Sequence, residues 1–129
     1  MSLAVVDVQR ILAHSTIGQL ARELVQEYQD AATRQEREQD LLSFILQDVA
    51  TVVQELGADL GVSVIVERQR AGILYAVPDA DLTARVLQIY DERYAKLDSA
   101  VTRQLIRGGL EVVAKARRAE QPPPPGQYL

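Results

Sequence analysis

The sequence predicts an α+β fold: a small antiparallel β body, a projecting α-helical hairpin and a C-terminal helix, assembled as an oligomer. Three observations point there. Short valine-rich runs lie near both ends of residues 3–77. Between them, apolar residues recur at helical spacing over some forty positions. After Pro78 a second helical pattern begins. The predicted order is β-α-α-β-β-α, with a further short helical piece behind it.

Each element has its own signal. Leu3 to Val8 is a short β-branched run and reads as the first strand. Ser15 or Thr16 then offers a helix N-cap. Ile17, Leu20, Ala21, Leu24, Val25 and Tyr28 share one helix face. A polar stretch, 33–40, interrupts the pattern, which resumes through Leu41, Leu42, Ile45, Leu46, Val49, Val52, Val53 and Leu56. Gly57 is the expected C-cap.

No Gly or Pro lies between Gln19 and Leu56, and one heptad phase runs across the polar stretch, so a single rod stays open. Such a rod would be about 60 Å long at 1.5 Å per residue and would separate the strands from their partners. A hairpin bending near Ala32–Gln39 is favoured. Val62, Val64 and Val66 then alternate along a second strand, Arg68 to Gly72 forms a hairpin loop, and Ile73 to Val77 returns as a third strand. Asp79 or Asp81 caps a helix carrying Leu82, Val86, Tyr90, Tyr94, Val101 and Leu105. Gly108-Gly109 is expected to break or kink it, leaving a short piece from Leu110 to Arg118. The tail 122–126, four prolines and a glycine, is expected to be extended or disordered. The organisation predicted is one domain, 1–119, with a body (3–12 and 60–94), an arm (15–57), an extension (95–119) and the tail 120–129.

Composition narrows the function. Apolar residues make up 47% and aromatics 5%, with no Trp and one Phe, so the core is aliphatic. Cysteine is absent, which removes disulfides, thiolate metal sites and cysteine nucleophiles. A net charge of −4 argues against nucleic acid as a partner. The charge is uneven: the arm holds Arg22, Arg34 and Arg37 against eight acidic side chains, whereas residues 95–129 are basic. A solvated basic helix end is the expected meaning of the latter. No uninterrupted apolar run reaches membrane-spanning length, so direct membrane insertion is not expected. The start lacks a signal-peptide pattern, leaving a cytoplasmic protein or one whose signal was removed.

Catalytic chemistry is hard to place. His14 is the only histidine, has no cysteine or second histidine to share a metal with, and reads as a surface residue beside Ser15. Asp79 and Asp81 read as helix caps. Asp7, inside an apolar strand, needs an Arg or backbone donors as partner, with Arg10 nearest. No glycine-rich phosphate loop is present. No enzyme activity, metal or cofactor is expected.

Two stretches together resemble one family. The first is residues 4–12, Ala-Val-Val-Asp-Val-Gln-Arg-Ile-Leu. The second runs through Leu60–Val66 and Gly72–Pro78 to Asp81-Leu82-Thr83. With the helical stretch between them, they resemble the opening strand, closing hairpin and helix start of the Skp/OmpH family of bacterial envelope chaperones. The resemblance implies a homotrimer whose β bodies join and whose arms hold unfolded outer-membrane proteins without ATP, in the periplasm. It assigns Val5, Val6, Val8, Val62, Val64, Val66, Ile73 and Tyr75 to the oligomer interface. Leu24, Tyr28, Ala31, Leu42, Ile45 and Val49 fall to client binding. The chain departs from the family in a shorter arm, an acidic arm, and a C-terminal addition suited to extending an oligomer interface. The alternative expectation is a trimeric structural or adaptor module that no longer captures clients.

Overall fold

The computed structural model describes residues 3–120. The starting Met1-Ser2 and the proline-rich tail lie outside the described residues. Strand β1 (Leu3–Val6) leads into helix α1 (Val8–His14), α2 (Thr16–Gln26) and α3 (Ala31–Leu60). Strand β2 (Val64–Glu67), a 3-10 turn at Pro78–Ala80, α4 (Thr83–Tyr94) and α5 (Ser99–Glu120) complete the order.

The first strand ends where Asp7 turns the chain. Its carboxylate accepts from the Arg10 backbone N–H at 3.2 Å, capping α1, so its partner is a backbone donor. Ser15 closes α1 and opens α2, its hydroxyl accepting from the Gly18 N–H at 2.9 Å. The corner is tight: a Cβ on Gly18 would stand 2.0 Å from the Leu12 carbonyl oxygen. No larger residue fits there.

A hairpin forms, but its bend lies earlier than the sequence suggests. Glu27 ends α2 and Asp30 caps α3, accepting from the Thr33 N–H and hydroxyl at 3.2 and 2.8 Å. The polar stretch 33–40 is therefore not a turn but the first turns of α3, where Arg37 and Asp40 are buried. At the other end α3 runs past Gly57 to Leu60, and Gly61, at φ 68°, is the left-handed cap. Gly57 lies inside the helix against Ile65, where a Cβ would meet the side chain at 2.9 Å.

The sheet is parallel, correcting the antiparallel expectation. Leu3 pairs with Val64 and Val6 with Glu67. A helical crossover of this length carries the chain from the end of β1 back to the level of its start, which parallel pairing requires. The expected third strand does not pair. Gly72 (φ 64°) and the Ile73 N–H to Arg68 carbonyl bond close a turn, after which Ile73–Val77 carries no ladder bonds. The 3-10 turn then delivers Asp81 and Leu82 to the free side of β1, where the Leu82 N–H donates to the Val5 carbonyl at 2.9 Å. Strand β1 thus lies between β2 and this segment.

α3 is the spine, touching α1, α2, α4, α5 and β2. Its Leu41, Ile45, Val49, Val52 and Leu56 point into one aliphatic core with Ile11, Ile17, Leu24, Val86, Tyr90, Ile106 and Leu110. By length and composition a window of α3 also meets the test for a membrane-crossing helix, although no apolar run is continuous there. Its apolar face here is the seat of the core.

Two further expectations change. The helix after Asp81 is interrupted at 95–98, and α5 then passes through Gly108-Gly109 unbroken. Gly109 is accommodated because Phe44 of α3 presses on it: an added Cβ would lie 2.3 Å from the ring. Nor does the hairpin project. α5 folds back along both α2 and α3.

Candidate polypeptide-binding surfaces

Two surfaces combine apolar area with polar framing. The first is the open side of the sheet. Among the described residues, β2 pairs with no strand but β1, so its outer edge keeps free backbone donors and acceptors. In the segment after β2, Leu74 is 97% exposed and Tyr75 78%, while Val64, Val77 and Leu3 are each about half exposed. An apolar groove of about 390 Å³ lies between α3 and the sheet, lined by Val6, Val8, Leu46, Val49, Val53 and Ile65.

The second is the seam of the hairpin, where α2 and α3 meet α5. Ile106, Leu110, Val113 and Ala114 are buried in it. Around that seam runs a chain of ion pairs. Arg103 reaches Glu23 at 3.2 Å and Glu27 at 3.8 Å, and Arg107 reaches Glu27 at 3.0 Å. Arg117 grips the buried Asp40 with Nε at 2.9 Å and Nη2 at 3.3 Å, and approaches Glu36 at 3.8 Å. Arg37, itself buried, donates to Glu111 at 2.8 Å, lies 3.5 Å from Asp40 and stacks on the Tyr28 ring at 5.5 Å. The Tyr28 hydroxyl, then Glu111 and Asp40, hold the Arg37 guanidinium more firmly protonated than usual, against burial acting the other way. The basic C-terminal segment is therefore paired, not merely solvated.

Polar anchors fix the frame. Asp48 accepts the hydroxyls of Tyr90 and Tyr94 at 2.6 and 2.7 Å, whose rings meet edge-to-face at 5.5 Å. Burial first, then the Asp48 carboxylate, pushes both phenols well above their ordinary value. Thr16 N–H donates to Asp91, tying α4 to the start of α2. Thr83 receives the Asp7 N–H and donates its hydroxyl to Asp81 at 2.6 Å. Burial would raise Asp81, but the Thr83 hydroxyl and N–H, then Arg68 and Arg10, hold its carboxyl below the ordinary value.

The predicted positions divide between inside and outside. Of the interface set, Val5, Val6 and Val8 are buried in the chain's own core, Val62, Val66 and Ile73 are half-buried, and Val64 and Tyr75 are exposed. Of the client set, Leu24, Ile45 and Val49 are buried, Tyr28 and Leu42 half-buried, and Ala31 exposed. The first three are core residues and offer no surface. Leu74 and Val77 were missed as surface residues, though Gly72 and Pro78 bracket their run. His14 is exposed in the last turn of α1, and the Ser15 hydroxyl is engaged as a cap. Among the described residues no group of three or more His, Cys, Asp or Glu could hold a metal.

A mostly helical domain with a minimal parallel sheet, a helical hairpin and apolar clefts framed by charge is a scaffold for contact. Residues 16–90 match the family model described as outer membrane protein (OmpH-like). That is more than half of the chain, and the chain belongs to this family. The match spans α2, α3, β2 and most of α4, leaving β1, α1 and all of α5 outside it. No curated protein and no solved structure matches.

Proposed function

We propose that this protein is an ATP-independent chaperone-type binder of unfolded polypeptides of the cell envelope, built from several copies joined through the sheet edge. The observation that carries the reading is the family match across the hairpin and the segment that closes the sheet. It is supported by the unpaired edge of β2, suited to β-addition by a second copy, and by the exposure of Val64 on that strand and of Leu74, Tyr75 and Val77 in the segment after it. Three copies, as the resemblance implies, would remove those edges. Binding and not catalysis is its work, with the client face offered by Tyr28, Ala31 and Leu42, the members of the expected set that reach the surface.

The seating of α5 on that face favours a second reading, an oligomeric adaptor whose hairpin is permanently filled. Aggregation of a chemically denatured outer-membrane β-barrel protein, followed by light scattering without ATP, separates the two. Suppression at near-stoichiometric ratio supports the chaperone. A native-mass oligomer that leaves the scattering trace unchanged leaves only the adaptor.

A further inference from the structure

The geometry points to the α2–α3 face as a groove selective for basic amphipathic helices, with α5 as its resident occupant. This rests on the polypeptide-binding reading and names the class of segment bound. Four observations support it. First, α5 joins the domain through a non-helical link, residues 95–98, and lies entirely beyond the family-matched residues. Second, Thr102, Ile106, Leu110, Val113 and Ala114 give it one buried face at i, i+4, i+8, i+11 and i+12, the mode in which an amphipathic helix fills a groove.

Third, the charges across the seam have a consistent sign. Glu23 and Glu27 of α2, and Glu36 and Asp40 of α3, face Arg103, Arg107 and Arg117 of α5. Only Arg37–Glu111 runs the other way. Arg103, Arg107, Glu23 and Glu27 are a third to nearly two-thirds exposed, so their pairs add little strength and act mainly by rejecting the wrong sign. Fourth, the seam is incompletely filled: a cleft of about 260 Å³ opens beside it, lined by Leu24, Glu27, Tyr28, Arg107 and Leu110. The occupant is held by proximity as well as by fit, because a short tether gives a high effective concentration. An incoming helix must therefore bring the same chemistry: an apolar stripe with arginine or lysine four residues apart along its α2-facing side.

The groove is tested in the full chain with a labelled peptide spanning residues 99–120. The variant R103E/R107E/L110D sets like charges against Glu23 and Glu27, puts a carboxylate into the buried seam and thereby unseats α5. It is expected to bind the peptide at least about tenfold more tightly than the native chain, whose groove is filled. A peptide carrying glutamate at positions 103 and 107 should bind that variant at least about tenfold more weakly. E23R/E27R/L110D, which unseats α5 and reverses the charge of the groove, should reverse the preference. Hydrogen exchange confirms release when α5 loses protection and α3 keeps it.

Equal binding of both peptides, no gain in either unseated variant, or an α5 that stays protected in both would overturn the groove. So would a gain accounted for by a dimer exchanging α5 between copies. Peptide discrimination without suppression of aggregation keeps the groove and removes the chaperone reading. Suppression without discrimination does the reverse.

Discussion

Two adjacent glycines in α5 face different surroundings, and replacing each by alanine measures how closely α5 sits on α3. In a helix interior Gly→Ala gains about 1 kcal/mol from helix propensity and from a less disordered unfolded chain. Gly108 has nothing within 4 Å of an added Cβ, so Gly108→Ala should realise that gain. At Gly109 the same methyl would stand 2.3 and 2.7 Å from two ring atoms of Phe44, closer than real contacts come. The half-buried ring must shift, and overpacking of this kind costs about 1–3 kcal/mol against the same gain. Gly109→Ala should therefore fall about 1–3 kcal/mol below Gly108→Ala, or about 4–12 °C in Tm for a chain of this size. Urea and thermal unfolding followed by circular dichroism read both variants. Phe44→Leu in the Gly109→Ala background should recover part of the loss. Equal stability of the two alanine variants would show that α5 does not lie against Phe44, and the closed seam would be wrong.

Removing the buried carboxylate by Asp40→Ala strips Arg117 of two hydrogen bonds and leaves the buried Arg37 without its nearest partner on α3, so a loss of about 3 kcal/mol is expected in urea unfolding. Tyr90 and Tyr94 are held neutral in the fold, so stability is fully present below about pH 10 and declines above it as only the unfolded chain ionises them. Tyr90→Phe should flatten that alkaline decline, measured as the urea midpoint between about pH 9 and 11. On the sheet edge, Leu74→Ser with Val64→Lys should lower the native mass measured by light scattering while Tm stays within about 2 °C, because both side chains are exposed. A mass unchanged by this double variant would place the copy–copy contact elsewhere.

Much of the helical architecture is legible in the residues. The apolar period through Ile17–Val25 and Leu41–Leu56 marks α2 and most of α3, and Ser15 announces the cap of α2, whereas α4 has Leu82, and neither Asp79 nor Asp81, at its N-cap. The bend at 27–30 is hidden because it contains neither Gly nor Pro; Asp30 with Thr33 encodes it, a cap signal as ordinary as any in the polar stretch beyond. Strand direction is not readable from alternation, since parallel and antiparallel ladders share the period of two. What fixes it is where three helices deliver the chain. Gly108-Gly109 has the composition of a break, yet Phe44 and the burial of Ile106, Leu110 and Val113 on either side hold the helix through it. The charge asymmetry between arm and C-terminal segment is plain in the sequence. Its meaning is tertiary, because pairs such as Arg103–Glu23 join residues far apart in the chain. Exposed Tyr75 and buried Val5 belong to the same valine-and-aromatic signal, and only packing separates them.

The position of the first strand bears on how the protein is made. Residues 3–6 find their neighbours only when 64–67 and then 81–82 have been synthesised, with three helices intervening. Long-range closure of this sort is slow and comes late. During synthesis the leading segment therefore waits without a partner until the far end of the hairpin and the turn beyond it have emerged.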